Sequence, residues 1–95
     1  MKRFVILTYG YESPTPEIMA AWGKWFESIK DDIVDMGRLA QGREISRTGI
    51  ADLPLGPHSI TGFMIVKADS LDEAQRMAEG NPSITSVRVY EALSK

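Results

Sequence analysis

The sequence predicts one α+β domain spanning residues 1–95, with four strands and two helices in the order β-α-β-β-α-β. Two segments combine a helix start signal with helical spacing of apolar residues, and β-branched or aromatic runs flank them. No repeat, low-complexity tract or linker interrupts the 95 residues. This order is the ferredoxin-like arrangement, in which the first and third strands are neighbours and both helices cover one face of the sheet.

The first strand is predicted at residues 3–9, because RFVILTY is rich in β-branched and aromatic residues. Thr15 as a cap and Pro16 at the first helical position predict the start of the first helix. Its apolar stripe consists of Ile18, Trp22, Trp25, Phe26, Ile29, Ile33 and Met36. The spacing therefore predicts a helix that runs to Met36, with Gly37 as a left-handed cap.

The second half of the chain supplies the remaining elements. Strands are predicted around residues 43–50, at 59–68 and at 85–93, and a turn-rich connection at 54–58. Residues 69–80 are predicted to form the second helix, because Ser70 and Glu73 make a capping box.

The first and third predicted strands are apolar on both faces, whereas two helices cover only one face. Leaving about half a dozen large side chains in water would forfeit roughly 1.5–3 kcal/mol for each. The sequence therefore predicts a homodimer packed sheet to sheet, a dimeric α+β barrel. The alternative is a monomer with an exposed apolar face.

Composition narrows the classes of partner. The net charge of −2 argues against nucleic acid, which requires a basic surface. No apolar run approaches the length of a membrane span, the first residues are typical of a strand, and a cytoplasmic protein is expected. Without cysteine there is no disulfide or thiolate metal site. The absence of a phosphate-binding loop and of a metal-spaced histidine cluster predicts no cofactor and no metal.

Several stretches resemble one family. KRFVILTYG, MAAWGKWFESI, VDMG, TGFMIVKADSLDEAQRMAEGNP and SVRVYEAL are similar to segments of YCII-related proteins, in particular the subgroup with a DGPF motif. The resemblance covers nearly the whole chain, and ADSLDEA with the final valine-rich strand is its most specific part. It implies a dimeric α+β barrel and little about function.

The resemblance also implies a site. Some members carry a His–Asp pair, and the Asp stands in a D-x-G that Asp35, Met36 and Gly37 match. The histidine of that pair lies upstream on the first helix, where this chain has no histidine. ADLPLGP stands roughly where TDGPF would be. Both departures weigh against catalysis.

Asp31, Asp32 and Asp35 fall in what the spacing predicts to be the last turns of the first helix. Each exposed carboxylate there costs about 0.3–1 kcal/mol, so a solvated acidic end is one interpretation. A second is that Asp35 lines a cleft at the dimer interface as a general base or as an anchor for a polar ligand. A third is a divalent cation site, although the D-D-x-x-D spacing lacks a calcium-loop glycine.

His58 is the single histidine, and it lies in the Pro/Gly-rich connection before the third strand. It is either a polar loop residue or a proton shuttle that forms a catalytic pair with Asp35. Catalysis by the pair requires the two side chains within hydrogen-bond or one-water reach, roughly 6 Å.

Two functions follow from these observations. The first is an uncharacterised dimer that binds a small polar molecule in a cleft near the end of helix one, with or without catalysis. The second is a non-catalytic dimeric interaction or accessory module that has no small-molecule site.

Overall fold

The computed structural model describes residues 1–10, 15–82 and 85–93. Within these ranges the chain forms six strands, two α-helices and a 3₁₀ turn. In chain order they are β1 (Lys2–Tyr9), α1 (Pro16–Ile29), the 3₁₀ turn (Lys30–Asp32), β2 (Ile33–Arg38), β3 (Gly42–Ser46), β4 (Gly49–Leu53), β5 (Ile60–Ala68), α2 (Leu71–Glu79) and β6 (Ser86–Ala92).

A four-stranded antiparallel sheet has the order β2-β5-β1-β6. The strands at 3–9 and 59–68 were expected to be central neighbours, and the pairing of β1 with β5 confirms this. The expected last strand is β6. Together with α1 and α2, the sheet forms the small α+β fold that the sequence predicts.

The helices begin where the sequence places their caps. The hydroxyl of Thr15 accepts a hydrogen bond from the backbone N–H of Ile18 at 3.2 Å. The hydroxyl of Ser70 accepts one from the N–H of Glu73, also at 3.2 Å. These side chains satisfy backbone donors that the first turn of a helix leaves without partners.

The first helix ends earlier than its apolar stripe predicts. It stops at Ile29, and residues 33–38 form the edge strand β2 paired with β5. The prediction of a helix to Met36 is therefore wrong, as is that of Gly37 as a left-handed cap. In the described chain, positive φ angles occur at Gly10 and Gly49. Adjacent β-branched residues, Ile33 and Val34, favour a strand, and hydrogen bonding to β5 decides the outcome.

The predicted strand around 43–50 is also corrected. Residues 42–53 form a separate two-stranded sheet, β3 and β4, joined by a two-residue turn. Both strands are exposed along their whole length, and their central pair, Ile45 and Ile50, is 80% and 70% exposed. This hairpin was expected to supply the second strand of the main sheet, a position that β2 occupies instead.

Both helices pack on one face of the sheet, which is here called the covered face. Its core consists of Phe4, Ile6, Trp25, Ile29, Met64, Val66, Ala68, Ala74 and Ala78. Small alanines on α2 let that helix approach the strands closely. The opposite side, called the open face, has no second layer in the described chain, whose shortest dimension is 18 Å.

Candidate functional site

A cavity of about 540 Å³ lies between α1 and the covered face of the sheet. Its walls come from the first turns of α1 and from the ends of β1, β2 and β5. The lining residues include Thr8, Trp22, Gly23, Met36, Arg38 and Gly62. A volume of this size is in the range that ligand sites occupy, roughly 300–1,000 Å³.

Strand register arranges the floor of the cavity in two rows. Gly62 pairs with Arg38 on β2 and with Thr8 on β1, so these three residues lie side by side on the covered face. The next row along the strands consists of Met36, Met64 and Ile6. One end of the floor is therefore polar, and the adjoining part is apolar.

Thr8 is the buried polar side chain of the described core, at 9% exposure. Its hydroxyl donates to the carbonyl of Gly62 at 3.4 Å, which is longer than an ordinary O–H···O bond. The neighbouring Thr61 hydroxyl donates to the carbonyl of Gly10 at 3.1 Å. Both hydroxyls therefore donate to backbone carbonyls, and the bond of Thr8 is longer than the one from Thr61 to Gly10.

An aromatic cluster on α1 forms the wall opposite the strands. The ring centroids of Trp22, Trp25 and Phe26 lie 5.4–5.6 Å apart. The indole N–H of Trp25 donates to the carbonyl of Met77 at 2.8 Å and so links α1 to α2. This cluster was expected to be the contact between helix and sheet. The packing confirms that role, because Trp25 belongs to the core and Trp22 and Phe26 pack against it. All three side chains also line the cavity.

Two glycines leave space in the cavity walls. Gly23 lies inside α1, where glycine costs about 1 kcal/mol relative to alanine, yet no described atom lies within 4 Å of the position of a Cβ there. At Gly62 a Cβ would lie 2.9 Å from Oγ1 of Thr8. A side chain at either position would take volume from the cavity.

Arg38 is the charged residue among the described residues that line the cavity. It is the last residue of β2 and is exposed at the cavity mouth. Within residues 1–10, 15–82 and 85–93, its guanidinium has no ion pair or side-chain hydrogen bond. The cavity therefore combines an aromatic wall with one unpaired positive charge.

Asp35 lies in β2 and not at the end of a helix. It pairs with Ile65, which places it on the open face, and its Oδ1 accepts a hydrogen bond from the N–H of Met36 at 2.8 Å. Asp31 and Asp32 belong to the 3₁₀ turn. The prediction that three carboxylates lie in the last turn of helix one is therefore wrong. The destabilisation expected from carboxylates at a helix C-terminus does not apply to Asp35 in β2.

His58 is exposed in the connection between β4 and β5. Ser59 braces this connection, since its hydroxyl donates to the carbonyl of Pro54 and accepts from the N–H of Gly56, both at 2.9 Å. Asp35 and His58 do not line the cavity described above. Their catalytic pairing stays a prediction.

A second groove of about 400 Å³ is not lined by Asp35, so the expected cleft with Asp35 near the end of helix one stays a prediction. The groove lies between the last turns of α1 and the length of α2, and Ser28, Ile29, Glu73 and Arg76 contribute to its walls. The larger cavity lies toward the beginning of α1. Sequence reasoning missed it because Arg38 was outside every predicted strand, although Gly62 inside a strand and Gly23 inside a helix were visible signals.

The open face carries its own side-chain contacts. The Arg88 guanidinium lies 4.9 Å from the ring centroid of Tyr9. A hydrogen bond with Tyr90, and to a lesser degree the nearby Tyr9, raises the pKa of Arg88 above its already high ordinary value. Arg88 is therefore charged at every pH at which the fold is expected to survive.

In the described ranges, no group of three or more His, Cys, Asp or Glu side chains is arranged to hold a metal ion. Neither helix described here has the length and apolar character to cross a membrane.

No protein-family model matches the chain, and no match was found among the curated proteins. In structure, the chain is similar to the 5-chloro-2-hydroxyhydroquinone dehydrochlorinase TftG of Burkholderia phenoliruptrix AC1100, solved in complex with 2,5-dihydroxybenzoquinone. The identity is 20%, the match covers 98% of this chain and 95% of TftG, and the TM-score is 0.63. Ribosomal protein S6 of Thermotoga maritima matches at 13% identity over 96% of this chain and 87% of its own, with a TM-score of 0.46. The likeness to TftG supports the α+β fold.

Proposed function

We propose that this protein is a homodimer of the YCII-related type that binds a small polar organic molecule in the cavity between α1 and the sheet. The observation that carries the proposal is the cavity itself. An aromatic wall, an apolar floor and a few polar groups at one end are the usual composition of a ligand site. TftG, which shares the fold, was solved with 2,5-dihydroxybenzoquinone, a small cyclic molecule.

The homodimer rests on the open face. Val5, Leu7, Phe63 and Ile65 occupy it and are only half-buried in the protomer. A second copy of the same sheet would remove these side chains from water at roughly 25 cal/mol for each Å² of apolar surface. Stacked sheets pack about 10 Å apart, which suits a face without helices.

The ligand proposal is tested by thermal shift with a panel of small polar and cyclic metabolites. Gly23 lines the cavity and a Cβ there meets no described atom within 4 Å, so Gly23→Phe is expected to add a ring that takes volume from the cavity, and Gly23→Ala is the matched control. We expect ligands to stabilise the wild type and Gly23→Ala but not Gly23→Phe. A panel without any hit, or a response that persists in Gly23→Phe, would contradict the site.

The dimer is tested by sedimentation at micromolar concentration. Leu7→Lys introduces a charge on the open face, and Leu71→Lys does the same on exposed α2. We expect a dimer for the wild type and Leu71→Lys and a monomer for Leu7→Lys. A wild type that sediments as a single chain would overturn the dimer.

Catalysis by Asp35 and His58 remains a separate proposal. It is supported by the D-x-G resemblance and by the side of the sheet on which Asp35 lies, which would face the second subunit. Asp35→Asn is expected to be at least as stable as the wild type and to abolish ligand response if the carboxylate anchors the ligand. A loss of stability above about 1 kcal/mol would show a structural hydrogen-bonding role instead.

The second candidate is a dimeric interaction module without a small-molecule site. The exposed hairpin favours it, because Ile45 and Ile50 contribute a large apolar pair to its surface. A partner that covers Ile45 and Ile50 would remove their apolar surface from water, which favours binding. The Gly23→Phe variant distinguishes the two candidates. If the first is right, this variant loses the small-molecule binding of the wild type. If the second is right, the wild type binds no small molecule and the variant keeps partner binding.

A further inference from the structure

We infer that the molecule bound in this cavity carries an anionic oxygen group, such as a carboxylate or an enolate, and that Arg38 and Thr8 recognise that group. The inference rests on the proposed function and specifies the class of its ligand. It does not involve Asp35 or His58.

Charge is the first support. Arg38 is the charged residue among the described residues that line the cavity, and none of these described residues is acidic. Its guanidinium is without a carboxylate partner in the described part of the chain. A planar guanidinium binds carboxylates and related oxyanions through paired, charge-assisted hydrogen bonds. A ligand anion would supply the partner that the protein does not.

The register is the second support. Arg38 and Thr8 flank Gly62 on the same face of the sheet, so their backbones lie about 10 Å apart, two strand spacings. Because Gly62 has no side chain, the surface between them is open to an oxyanion. The long hydrogen bond of the Thr8 hydroxyl, 3.4 Å, is readily exchanged for a charged acceptor.

The apolar surroundings define the rest of the ligand. Met36 and Met64 continue the floor beyond the polar row, and Trp22 and Phe26 face them from α1. Thioether and aromatic side chains make favourable contacts with a flat ring. The ligand class is therefore a small cyclic or aromatic molecule with an anionic oxygen group at one end.

Benzoate and benzamide test this inference, because they have nearly the same shape and differ in charge. Binding is followed by quenching of tryptophan fluorescence, since Trp22 lines the cavity. We expect benzoate to bind the wild type more tightly than benzamide. Arg38→Gln is expected to weaken benzoate about 10-fold or more and to change benzamide less than about twofold.

Three further variants serve as controls. Arg47→Gln removes the same charge from the exposed hairpin turn and is expected to change neither affinity. Arg38→Lys retains the charge and is expected to recover part of the benzoate affinity, which excludes misfolding as the cause. Thr8→Val is expected to weaken benzoate by a smaller factor, about threefold to tenfold.

The outcomes separate the inference from the proposed function. Equal affinities of the two probes for the wild type, or a benzoate preference that survives in Arg38→Gln, would overturn the anion inference and leave the cavity as a ligand site. Binding that is unaffected by Gly23→Phe would place the probes elsewhere and overturn the site. If neither probe binds the wild type at millimolar concentration, the inference and the proposed site both fail.

Discussion

The covered and open faces of the central sheet are built from alternate residues of the same strands, but their surroundings differ. On the covered face Phe4, Ile6 and Val66 have no exposed surface. On the open face their neighbours Val5 and Leu7 are half-buried. The side chains are equally apolar, so the difference comes from the helices, which pack on one face only. The hydrophobic pattern thus predicts a sheet that is covered on both faces, whereas the helices of the described protomer cover one face.

Polar groups differ between the faces in the same way. The covered face combines its core with a cavity that has Thr8 and Arg38 at one end. The open face places Asp35 and Arg88 beside apolar side chains, and no helix of the described ranges covers it to enclose a ligand. The protomer alone can therefore form a small-molecule site on the covered face, whereas a site on the open face requires a second subunit.

The largest expected difference is between Ile6→Ala and Leu7→Ala, which truncate adjacent side chains on opposite faces. Ile6→Ala should lower the free energy of unfolding by about 2–5 kcal/mol, because it leaves a cavity in the core. Leu7→Ala should cost about 1 kcal/mol at low protein concentration and more as concentration rises and dimers form. Urea unfolding at two protein concentrations measures both, and equal losses throughout would remove the distinction between the faces.

The next effect concerns packing within the open face. A Cβ at Gly37 would overlap the ring of Phe63, which lies directly opposite on β5. Gly37→Val should therefore destabilise the protein by about 1–3 kcal/mol. Gly42→Val is the control, because a Cβ there meets nothing within 4 Å in the described chain. Denaturant unfolding compares the two variants; a stable Gly37→Val would mean that Phe63 moves aside at little cost.

A smaller effect is expected at the contact between the helices that cover the sheet. Trp25→Phe keeps an aromatic ring but loses the hydrogen bond to the carbonyl of Met77. The expected loss is about 1–2 kcal/mol by thermal or urea unfolding. Trp22→Phe, whose indole has no such bond in the described chain, should cost less. The reverse order would indicate that filling the cavity wall matters more than linking α1 to α2.

The smallest effect is expected for Arg88→Gln on the open face. The raised pKa means that any stabilisation by the charged form is present below the ordinary value and lost only as the pH rises through the folded value. The stability of the wild type and of Arg88→Gln should therefore show the same pH dependence across the neutral range. A difference that appears between mildly acidic and mildly alkaline pH would require another titrating group to couple with Arg88.

Local signals predicted much of the fold. The caps at Thr15 and Ser70, the two central strands and the last strand follow from residue types and spacing that act over one or two turns. The candidate site was less predictable. Arg38 and Thr8 lie 30 positions apart in the chain, and only strand pairing brings them beside Gly62. The signal that was available, a glycine inside each of two strong elements, has no meaning until the elements face each other.

The end of helix one shows the limit most clearly. Ile33 and Met36 continue the spacing of the helical stripe, yet they belong to β2. The three aspartates were evidence against a helix end at this position, because carboxylates are destabilising near the C-terminus of a helix. The apolar pattern of the sequence determined the central strands of the sheet and the faces of the helices that pack on it. Tertiary structure decided where α1 stops and which residues meet in the cavity, because backbone hydrogen bonds to β5 outweigh a helical preference that extends over only two turns.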